Sequence, residues 1–339
     1  MPVRGLITTI FIALLSLILA PAAPAQLLIN GAGATFPYPV YAKWFDEYHK
    51  RDRQIQFNYQ SIGSGGGIRQ LQAGTVDFGA TDSPMTDEQI AKAGGAVLHF
   101  PTVLGAVVPV YNVAGVRQEL NFTAEALAGI FLGKITRWND PELAKANPGA
   151  ALPSAGIVVV HRSDGSGTTF VWTDYLSKVS PEWKAKAGAN TSVSWPVGLG
   201  AKGNEGVAGL VKQTPNSIGY VELVYALQNK IPYGRVRNAA GVFVRPELKS
   251  VTAAGSSAEM PADFRVSITN APGKDAYPIS SFTWLLVPTK FQDARKKKAI
   301  TEFLRWMLSE GQKLAEPLGY APLPKGVVAL ELKAIAKIQ

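Results

Sequence analysis

Cysteine is absent from the 339-residue sequence, and histidine occurs only three times. The absence of cysteine excludes disulfide bonds, thiolate metal sites and cysteine nucleophiles. His49, His99 and His161 are too far apart in the chain to form a local metal-binding motif. We therefore expect neither a metal site nor a bound cofactor.

Charged residues are also scarce, at 17% of the chain, whereas hydrophobic residues make up 47%. This balance, together with 33 glycines and 23 prolines spread along the sequence, excludes a disordered polymer and a coiled coil. At roughly 100 to 200 residues per domain, the length suggests one large or two ordinary domains. The sequence therefore indicates a globular protein with many loops.

Long hydrophobic runs are missing except at the N-terminus. There, Arg4 precedes the apolar stretch 6–20, and a short segment ending in Ala-Pro-Ala follows it. The stretch is about 15 residues long, whereas a membrane span needs about 20. Residues 1–25 are therefore predicted to be a signal peptide that is cleaved near Ala25-Gln26. The remaining protein is expected to be soluble and periplasmic.

Acidic residues are fewer than basic ones, 25 against 34, and the formal net charge is +9. The densest basic run, Arg295–Lys298, precedes Ile300, Phe303 and Leu304, whose spacing is typical of an amphipathic helix. A solvated helix start explains this run. Because the basic residues are not interleaved with exposed-type aromatic residues, we expect no nucleic-acid partner.

Short strand patterns alternate with helix patterns along the chain, which is typical of an α/β fold. The apolar run 97–113 contains Pro101 and Pro109 and is predicted to form two extended segments that pass between two lobes. The predicted strands are 55–59, 76–80, 157–162, 217–222 and 282–287, and the predicted helices are 68–73, 86–93 and 170–177. With residues 263–276 as the return crossing, the predicted division is 26–105 and 280–339 in lobe one and 106–279 in lobe two, with a ligand cleft between them.

Glycine and hydroxyl residues stand before three of the predicted helices, at the junctions 31–37, 63–67 and 163–170. Each junction exposes backbone N–H groups at the positive end of a helix dipole, which favours an anion. Plain capping is the alternative, and Thr35 is predicted to cap the first of these helices. Three such junctions in one chain favour convergence on one anion. Since neither glycine-rich junction continues into Gly-Lys-Ser/Thr, a nucleotide triphosphate is not expected.

Two enzyme patterns compete with this interpretation. Residues 198–203 form a complete G-x-G-x-x-G after the strand-like segment 192–197, as in dinucleotide-binding proteins, but Asn204 and further interruptions precede the next helix. Ser166, His161 and Asp164 are the residue types of a serine hydrolase. A catalytic triad is normally assembled from separate segments, however, and Ser166 lacks the G-x-S-x-G turn. We therefore expect a protein that is not an enzyme.

Seven motifs occur together in this chain: GAGATFP (31–37), VYAKW (40–44), YQSIGSGGG (59–67), VDFGATD (76–82), RSDGSGTTF (162–170), WPVGLGAKGN (195–204) and LGYAPLP (318–324). In combination they closely resemble the periplasmic phosphate-binding proteins of bacterial phosphate ABC transporters. The resemblance extends from Gly31 to Pro324. It also explains the dinucleotide-like glycines, because this family has a similar Gly-Leu-Gly-x-Lys-Gly segment and binds no dinucleotide.

The resemblance implies a two-lobed periplasmic-binding-protein fold, type II-like, that closes over one inorganic phosphate. It implies a monomeric receptor that delivers phosphate to the inner-membrane permease subunits of an ABC transporter. An exported phosphohydrolase acting on phosphate esters is the alternative. Carried over by motif position, the expected phosphate contacts are Ala34, Thr35, Phe36, Ser64, Asp82, Arg162, Ser166, Gly167 and Thr168.

Two acidic residues have special roles in this expectation. Asp164 is expected to orient the Arg162 guanidinium, with capping of the next helix as its alternative role. Asp82 would repel an anion unless a proton lies between them, and phosphate carries such a proton at neutral pH whereas sulfate does not. Asp82 is therefore expected to select phosphate over sulfate, with capping of the turn at Ser83-Pro84 as its alternative role.

Three features depart from the family pattern, and all lie outside the expected contacts. His161 stands where a second arginine can occur, Ser61 replaces a glycine, and residues 235–259 match poorly. For His161, a simple strand-end residue is the preferred interpretation.

Overall fold

Residues 26–339 are described by the computed structural model, and the predicted signal peptide lies outside them. The strands of this part are β1 (Leu27–Gly33), β2 (Ile55–Ser61), β3 (Phe78–Thr81), β4 (Val97–Asn112), β5 (Asn121–Phe122), β6 (Val158–Arg162), β7 (Leu199–Ala201), β8 (Ser217–Glu222), β9 (Arg235–Arg237), β10 (Phe243–Val244) and β11 (Ser280–Pro288). The helices are α1 (Tyr38–Arg51), α2 (Ser64–Gln72), α3 (Asp87–Ala91), α4 (Ala124–Phe131), α5 (Pro141–Ala146), α6 (Gly167–Val179), α7 (Pro181–Lys186), α8 (Gly203–Gln213), α9 (Leu223–Asn229), α10 (Leu248–Ser256), α11 (Ala294–Met307) and α12 (Lys325–Ala334).

One eight-stranded mixed sheet organises the described chain, in the order β2-β1-β3-β11-β4-β8-β6-β7. Strand β1 is parallel to β2 and β3, and β6 is parallel to β7 and β8. Strands β11 and β4 are antiparallel to their neighbours. A second, three-stranded sheet contains β10, β9 and β5. The parallel strands therefore form two groups, one at each end of the large sheet.

Strand β4 connects the two parts of the large sheet. Its residues 97–106 pair with β11, and its residues 107–112 pair with β8. The prediction that Pro101 and Pro109 divide this run into two separate segments is wrong, because the strand is continuous.

Each of these prolines lies where the strand does not need its missing N–H. Pro101 lies opposite Trp284, where the register between β4 and β11 shifts. On either side of Pro109, the N–H groups of Val107 and Tyr111 donate to carbonyls that precede β11 or lie in the loop before β9. An N–H at position 109 would point the same way, away from β8, because alternate residues of a strand face the same side. Proline is tolerated at such positions.

Most of the other predicted strands and helices are confirmed, and one predicted strand is wrong. Strands are present at all five predicted places, and α3, which lies within the predicted helix 86–93, is opened by a capping box of Thr86 and Gln89. Helix α11 buries Ile300, Phe303 and Leu304, as its spacing predicts. The predicted strand 192–197 is wrong, since the strand lies at β7 and pairs beside β6.

An aromatic core holds the β1–β3 end of the sheet against two helices. Phe45 of α1 stacks on Phe57 of β2 with ring centroids 4.9 Å apart, and Phe303 of α11 lies 4.5 Å from Phe57. At the other end, Trp172 of α6 stacks on Tyr220 of β8 at 5.1 Å. Stacked aromatic pairs of this kind contribute about 0.5–1.5 kcal/mol beyond the area that they bury. Both ends of the sheet are thus rigid supports for the loops that follow the strands.

No helix within residues 26–339 has the length and apolar character needed to cross a membrane.

Candidate functional site

The three glycine-containing junctions meet at one place in the structure, which we call the anion site. Between the second and third junctions, the N–H of Gly65 donates to the carbonyl of Gly165 at 2.9 Å. Between the first and third, a guanidinium N–H of Arg162 donates to Oγ1 of Thr35 at 3.3 Å. The three junctions therefore lie together, as convergence on one anion requires, and the anion site lies where strands β1, β3 and β6 end.

Three tyrosines hold the backbone of the first junction. Tyr59, Tyr225 and Tyr320 donate hydrogen bonds to the carbonyls of Ala34, Thr35 and Phe36, at 2.7, 2.5 and 2.7 Å, respectively. Because a carbonyl dipole that faced an anion would repel it, bonding all three carbonyls to tyrosines keeps their negative ends away from the site.

The backbone N–H groups of the junctions are the complementary feature. The N–H of Ala34 donates to the carbonyl of Ala80 at 3.0 Å, so both backbone polar groups of Ala34 have protein partners. Within residues 26–339, the N–H groups of five residues at the junctions have no protein acceptor, namely those of Thr35, Phe36, Ser64, Gly167 and Thr168. Several donors without acceptors thus surround the anion site, and two of them open helix α6.

Thr35 does not cap helix α1, contrary to the sequence prediction. Pro37 occupies the capping position and makes no side-chain cap bond, while the N–H of Tyr38 donates to the backbone carbonyl of Thr35. The hydroxyl of Thr35 instead accepts from Arg162 and from Asn204. The Thr35 side chain therefore contributes to the anion site and not to the helix cap.

Asp82 follows β3 and is almost completely buried, with 1% of its surface exposed. Its backbone N–H donates to Oγ of Ser64 at 3.1 Å, and its Oδ1 accepts from the hydroxyl of Thr283 at 2.7 Å. Its Oδ2 has no hydrogen-bond partner within residues 26–339. The Ser83 N–H is bonded to Thr81, so Asp82 does not cap that turn, and the alternative role is wrong.

Burial raises the pKa of Asp82 to about 7, against the opposing effects of the Thr283 hydrogen bond and the Arg162 charge. At neutral pH this carboxyl group therefore exchanges readily between its charged and neutral forms. A carboxyl group in this state can share a proton with a neighbouring oxyanion, which is the property expected of Asp82 if it selects phosphate over sulfate.

Arg162 is buried and forms a two-pronged ion pair with Asp164, which is partly buried. Nε of Arg162 lies 2.7 Å from Oδ1 of Asp164, and a terminal nitrogen lies 2.5 Å from Oδ2. Burial pushes the pKa of Asp164 up, but the hydrogen bonds and charge of Arg162 outweigh it, so the pKa lies below its usual range. The orienting role of Asp164 is thus present in the geometry. Its alternative role is wrong, because Ser166 caps α6 by accepting from the N–H of Thr169 at 3.0 Å.

Glycine is required at two positions where the junctions touch. A Cβ on Gly63, which has a φ of +85°, would lie 2.5 Å from Oδ2 of Asp164. A Cβ on Gly167 would lie 2.4 Å from both Oδ2 of Asp82 and Oγ of Ser64. Since real Cβ atoms do not approach other atoms so closely, only glycine lets these segments meet.

The enzyme patterns are not assembled in the structure. His161 stacks on Trp195, with ring centroids 4.7 Å apart, and its Nδ1 contacts the carbonyl of Arg162. The Ser166 hydroxyl caps α6, and Asp164 binds Arg162, so the three residues do not form a relay. Within residues 26–339, no three His, Asp or Glu side chains are arranged to hold a metal ion.

Sequence reasoning missed the residues that support the site from distant segments. These are Tyr59, Thr283, Tyr225, Tyr320 and Asn204. Three of them do lie inside recognised motifs, Tyr59 at the start of 59–67, Asn204 at the end of 195–204 and Tyr320 within 318–324. Their presence in those motifs is the signal that could have found them.

Comparison with known proteins places this architecture in a family. The model of the PBP superfamily domain matches residues 20–311. The phosphate-binding protein PstS of Xylella fastidiosa strain Temecula1 is 50% identical over 303 residues, which cover 88% of this chain and 82% of that protein. The PstS protein of Pasteurella multocida is 48% identical, covering 88% and 87%.

A solved structure shows the same fold at low sequence identity. The phosphate-binding protein of Stenotrophomonas maltophilia superposes with a TM-score of 0.69 at 19% identity, covering 91% of this chain and 94% of that one. The chain therefore has the two-domain α/β fold of the PBP superfamily and belongs to the PstS family of phosphate-binding proteins.

Proposed function

We propose that this protein binds inorganic phosphate at the anion site and delivers it to an inner-membrane ABC transporter as a receptor, without catalysis. The main support for the proposal is that many hydrogen-bond donors and one acceptor that is unpartnered within residues 26–339 line the same site. Oδ2 of Asp82 has no protein partner in the described chain and lies beside Gly167, the first residue of α6. The surrounding donors fit the unprotonated oxygens of phosphate, and Oδ2 fits its protonated oxygen.

The proposed contacts are those that the family resemblance implies. Arg162 supplies a planar group that is already oriented by Asp164, and Ser64 and Thr168 supply hydroxyls next to free N–H groups. The remaining proposed contacts are Thr35, Phe36, Asp82, Ser166 and Gly167, together with Ala34, whose N–H and carbonyl both have protein partners and which would touch the ligand without a hydrogen bond. Phosphate taken from water loses strong hydration, so this number of aligned donors replaces what the ligand gives up.

Hydrolysis of phosphate esters has no support in the site. The Ser166 hydroxyl caps α6, Nδ1 of His161 contacts the carbonyl of Arg162, and Asp164 binds Arg162, so these three residues do not form a relay. Neither an activated nucleophile nor a metal cluster is present among residues 26–339 to promote cleavage.

The proposed location is the periplasm. The named relatives are phosphate-binding proteins of the PstS family, and residues 1–25 have the pattern of a signal peptide. We further propose cleavage near Ala25-Gln26 and a monomeric mature protein.

The proposed lobes are residues 26–105 with 280–339, and residues 106–279. With that division, Gly65 and Gly165 belong to different lobes, and so do Thr35 and Arg162. Their contacts would then exist only in the closed form, and ligand binding should favour closure. Small-angle scattering should show a smaller radius of gyration with phosphate than without it. An unchanged radius would place the whole site within one rigid unit.

Isothermal titration calorimetry with the purified protein tests the function directly. We expect orthophosphate to bind at one site, and sulfate and a phosphate ester to give little or no heat at the same concentrations. Release of phosphate from the ester would favour the hydrolase instead. Absence of binding by orthophosphate would contradict the proposed function.

A further inference from the structure

Asn204 is a fully buried residue that lies between two hydroxyl groups of the anion site. It is the second residue of α8, and none of its surface is exposed. Its Nδ2 lies 2.7 Å from Oγ1 of Thr35 and 3.0 Å from Oγ1 of Thr168. Thr35 belongs to the first junction and Thr168 to the third. One amide group therefore connects two of the three segments that form the site.

A third hydrogen bond fixes which way the Asn204 amide faces. The backbone N–H of Glu222 donates to Oδ1 of Asn204 at 3.0 Å. Because a backbone N–H can only donate, the atom that faces it must be the amide oxygen, and the NH₂ group must face the two threonines. The assignment of nitrogen and oxygen thus follows from the chemistry of the neighbour.

The direction of these bonds decides what the two hydroxyls can do. An amide NH₂ group donates and does not accept, so Oγ1 of Thr35 and Oγ1 of Thr168 are both acceptors toward Asn204. Oγ1 of Thr35 also lies 3.3 Å from Arg162 and 3.4 Å from the Asn204 backbone N–H, which are both donors. Within residues 26–339, neither threonine hydroxyl donates to a protein acceptor. Both hydroxyl hydrogens are therefore left for a bound anion.

We propose that Asn204 is a positioning residue of the phosphate site, which sets the hydroxyls of Thr35 and Thr168 as hydrogen-bond donors toward the ligand. This inference rests on the proposed phosphate-binding function. Together with Arg162, the two hydroxyls make this part of the site a set of donors only. A hydrogen on a phosphate oxygen placed there would face another hydrogen, so the protonated oxygen is directed to Asp82. Asn204 thereby helps to set the orientation of the bound phosphate.

The variant Asn204→Asp reverses the proposed effect with almost no change of shape. A carboxylate accepts the hydrogens of both threonine hydroxyls, removes two donors from the ligand and adds a negative charge. We expect the Kd for orthophosphate, measured by calorimetry at pH 8, to rise about 100-fold. Burial at this position raises the pKa of the introduced carboxyl above its ordinary value of about 3.9, so it gains a proton as the pH falls toward 5, and the ratio of variant to wild-type Kd should shrink toward about tenfold.

The ratio of the variant Kd to the wild-type Kd reports on the titration at position 204, because the titrations of the other groups occur in both proteins. Orthophosphate itself titrates in this range, but it does so for both proteins. The charged and titratable groups around the site are also the same in both proteins, and they are Asp82, Arg162, Asp164, Glu205, Glu222 and Tyr225. A substitution that only lowered the stability of the fold would give a ratio that does not depend on pH.

A matched control is available in Asn147, which is 2% exposed. Its Nδ2 donates to the carbonyls of Asn121 and Leu143, and its Oδ1 accepts from the N–H of Asn121. Asn147→Asp therefore disturbs a buried amide with the same bonding pattern outside the anion site. We expect it to lower the melting temperature without changing the Kd for orthophosphate.

A second variant, Asn204→Ala, keeps the inference testable if Asn204→Asp does not fold. It leaves both hydroxyls without a fixed direction, and we expect about a tenfold higher Kd at every pH. Wild-type protein that does not bind orthophosphate would contradict the proposed function itself. Wild-type binding together with Asn204→Asp and Asn204→Ala values within threefold of it would overturn the positioning role alone.

Discussion

The hydroxyl of Tyr225 donates a hydrogen bond of 2.5 Å to the backbone carbonyl of Thr35, across 190 residues of sequence. Burial raises the pKa of Tyr225, so this hydroxyl stays protonated and acts as a donor whenever the protein is folded. The bond holds the Thr35 carbonyl dipole away from the anion site. We therefore expect the affinity for an anion to depend on Tyr225, whose hydroxyl contacts the Thr35 carbonyl and Glu205.

Removal of this hydroxyl should weaken phosphate binding without unfolding the protein. In Tyr225→Phe the Thr35 carbonyl loses its donor, and we expect the Kd for orthophosphate to rise about tenfold. Tyr175→Phe is a matched control, because the Tyr175 hydroxyl is buried and has no partner within residues 26–339. Calorimetry with orthophosphate measures the Kd of both variants, and we expect Tyr175→Phe to bind like the wild type. Equal Kd values for the two variants would show that the carbonyl orientation is unimportant.

Replacement of Arg162 by lysine should weaken phosphate binding strongly. Lysine keeps the positive charge but cannot reproduce the planar fork that binds Asp164 and Thr35 at once. Each lost charge-assisted bond costs about 1.5–3 kcal/mol, so we expect the Kd for orthophosphate to rise about 10- to 100-fold. Arg137→Lys, at an exposed position, serves as the control. An unchanged Kd in Arg162→Lys, with an intact circular dichroism spectrum, would remove Arg162 from the site.

Much of the site could be predicted from sequence because its ligand groups lie in local motifs. The junctions around Thr35, Ser64 and Ser166 each combine glycine, a hydroxyl and a following helix, and that pattern has a physical meaning without knowledge of the fold. The spacing of two positions between Arg162 and Asp164 likewise allows an ion pair that a local argument can predict. These groups meet in the structure as expected.

The remaining parts depend on tertiary contacts that no local pattern encodes. Thr283 bonds to Asp82 from a residue 201 positions away, and Tyr320 bonds to Phe36 from 284 positions away. The same limit explains the error at Pro109. A strand tolerates proline at a position whose N–H would not pair with a neighbouring strand, and that depends on how the whole sheet is assembled.

Glu331 provides a prediction about stability that is independent of the ligand. This residue of α12 is fully buried, and neither of its carboxyl oxygens has a hydrogen-bond partner in the described chain. Burial raises its pKa well above the usual range, so the folded state holds the proton more tightly than the unfolded state does. Its contribution to stability is therefore fully present below the unfolded pKa of roughly 4.3 and decreases as the pH rises toward the folded value.

The variant Glu331→Met should be more stable than the wild type at pH 8, by about 1–3 kcal/mol, because it buries no polar group without a partner. The difference should diminish as the pH is lowered toward 4. Denaturant unfolding of both proteins across this range measures it. Glu316→Met, at an exposed position, should change stability by less than about 0.5 kcal/mol. A wild type that is more stable than Glu331→Met at pH 8 would mean that Glu331 has a favourable partner.

Asp82 leads to the prediction on selectivity. Its Oδ1 is bonded to Thr283, and its Oδ2, which lies beside Gly167, can only accept when the carboxyl is charged. Phosphate can donate a proton to this oxygen, whereas sulfate brings a second negative charge. Sites that require a particular hydrogen discriminate by about 10⁴ to 10⁵. We therefore expect negligible sulfate binding by the wild type at pH 8.

The raised pKa of Asp82, about 7, makes the sulfate affinity depend on pH. Below that value the carboxyl carries its own proton and can donate it to sulfate, so sulfate binding should strengthen as the pH falls from 8 to 5. In Asp82→Asn the amide can turn its NH₂ group toward either anion, so the phosphate-to-sulfate ratio should narrow. Its sulfate affinity should also lose the pH dependence, since sulfate does not titrate there. Calorimetric titrations of both proteins with both anions at several pH values provide the measurement. If the phosphate-to-sulfate ratio and its pH dependence are the same in the two proteins, Asp82 does not distinguish the two anions by the proton of the ligand.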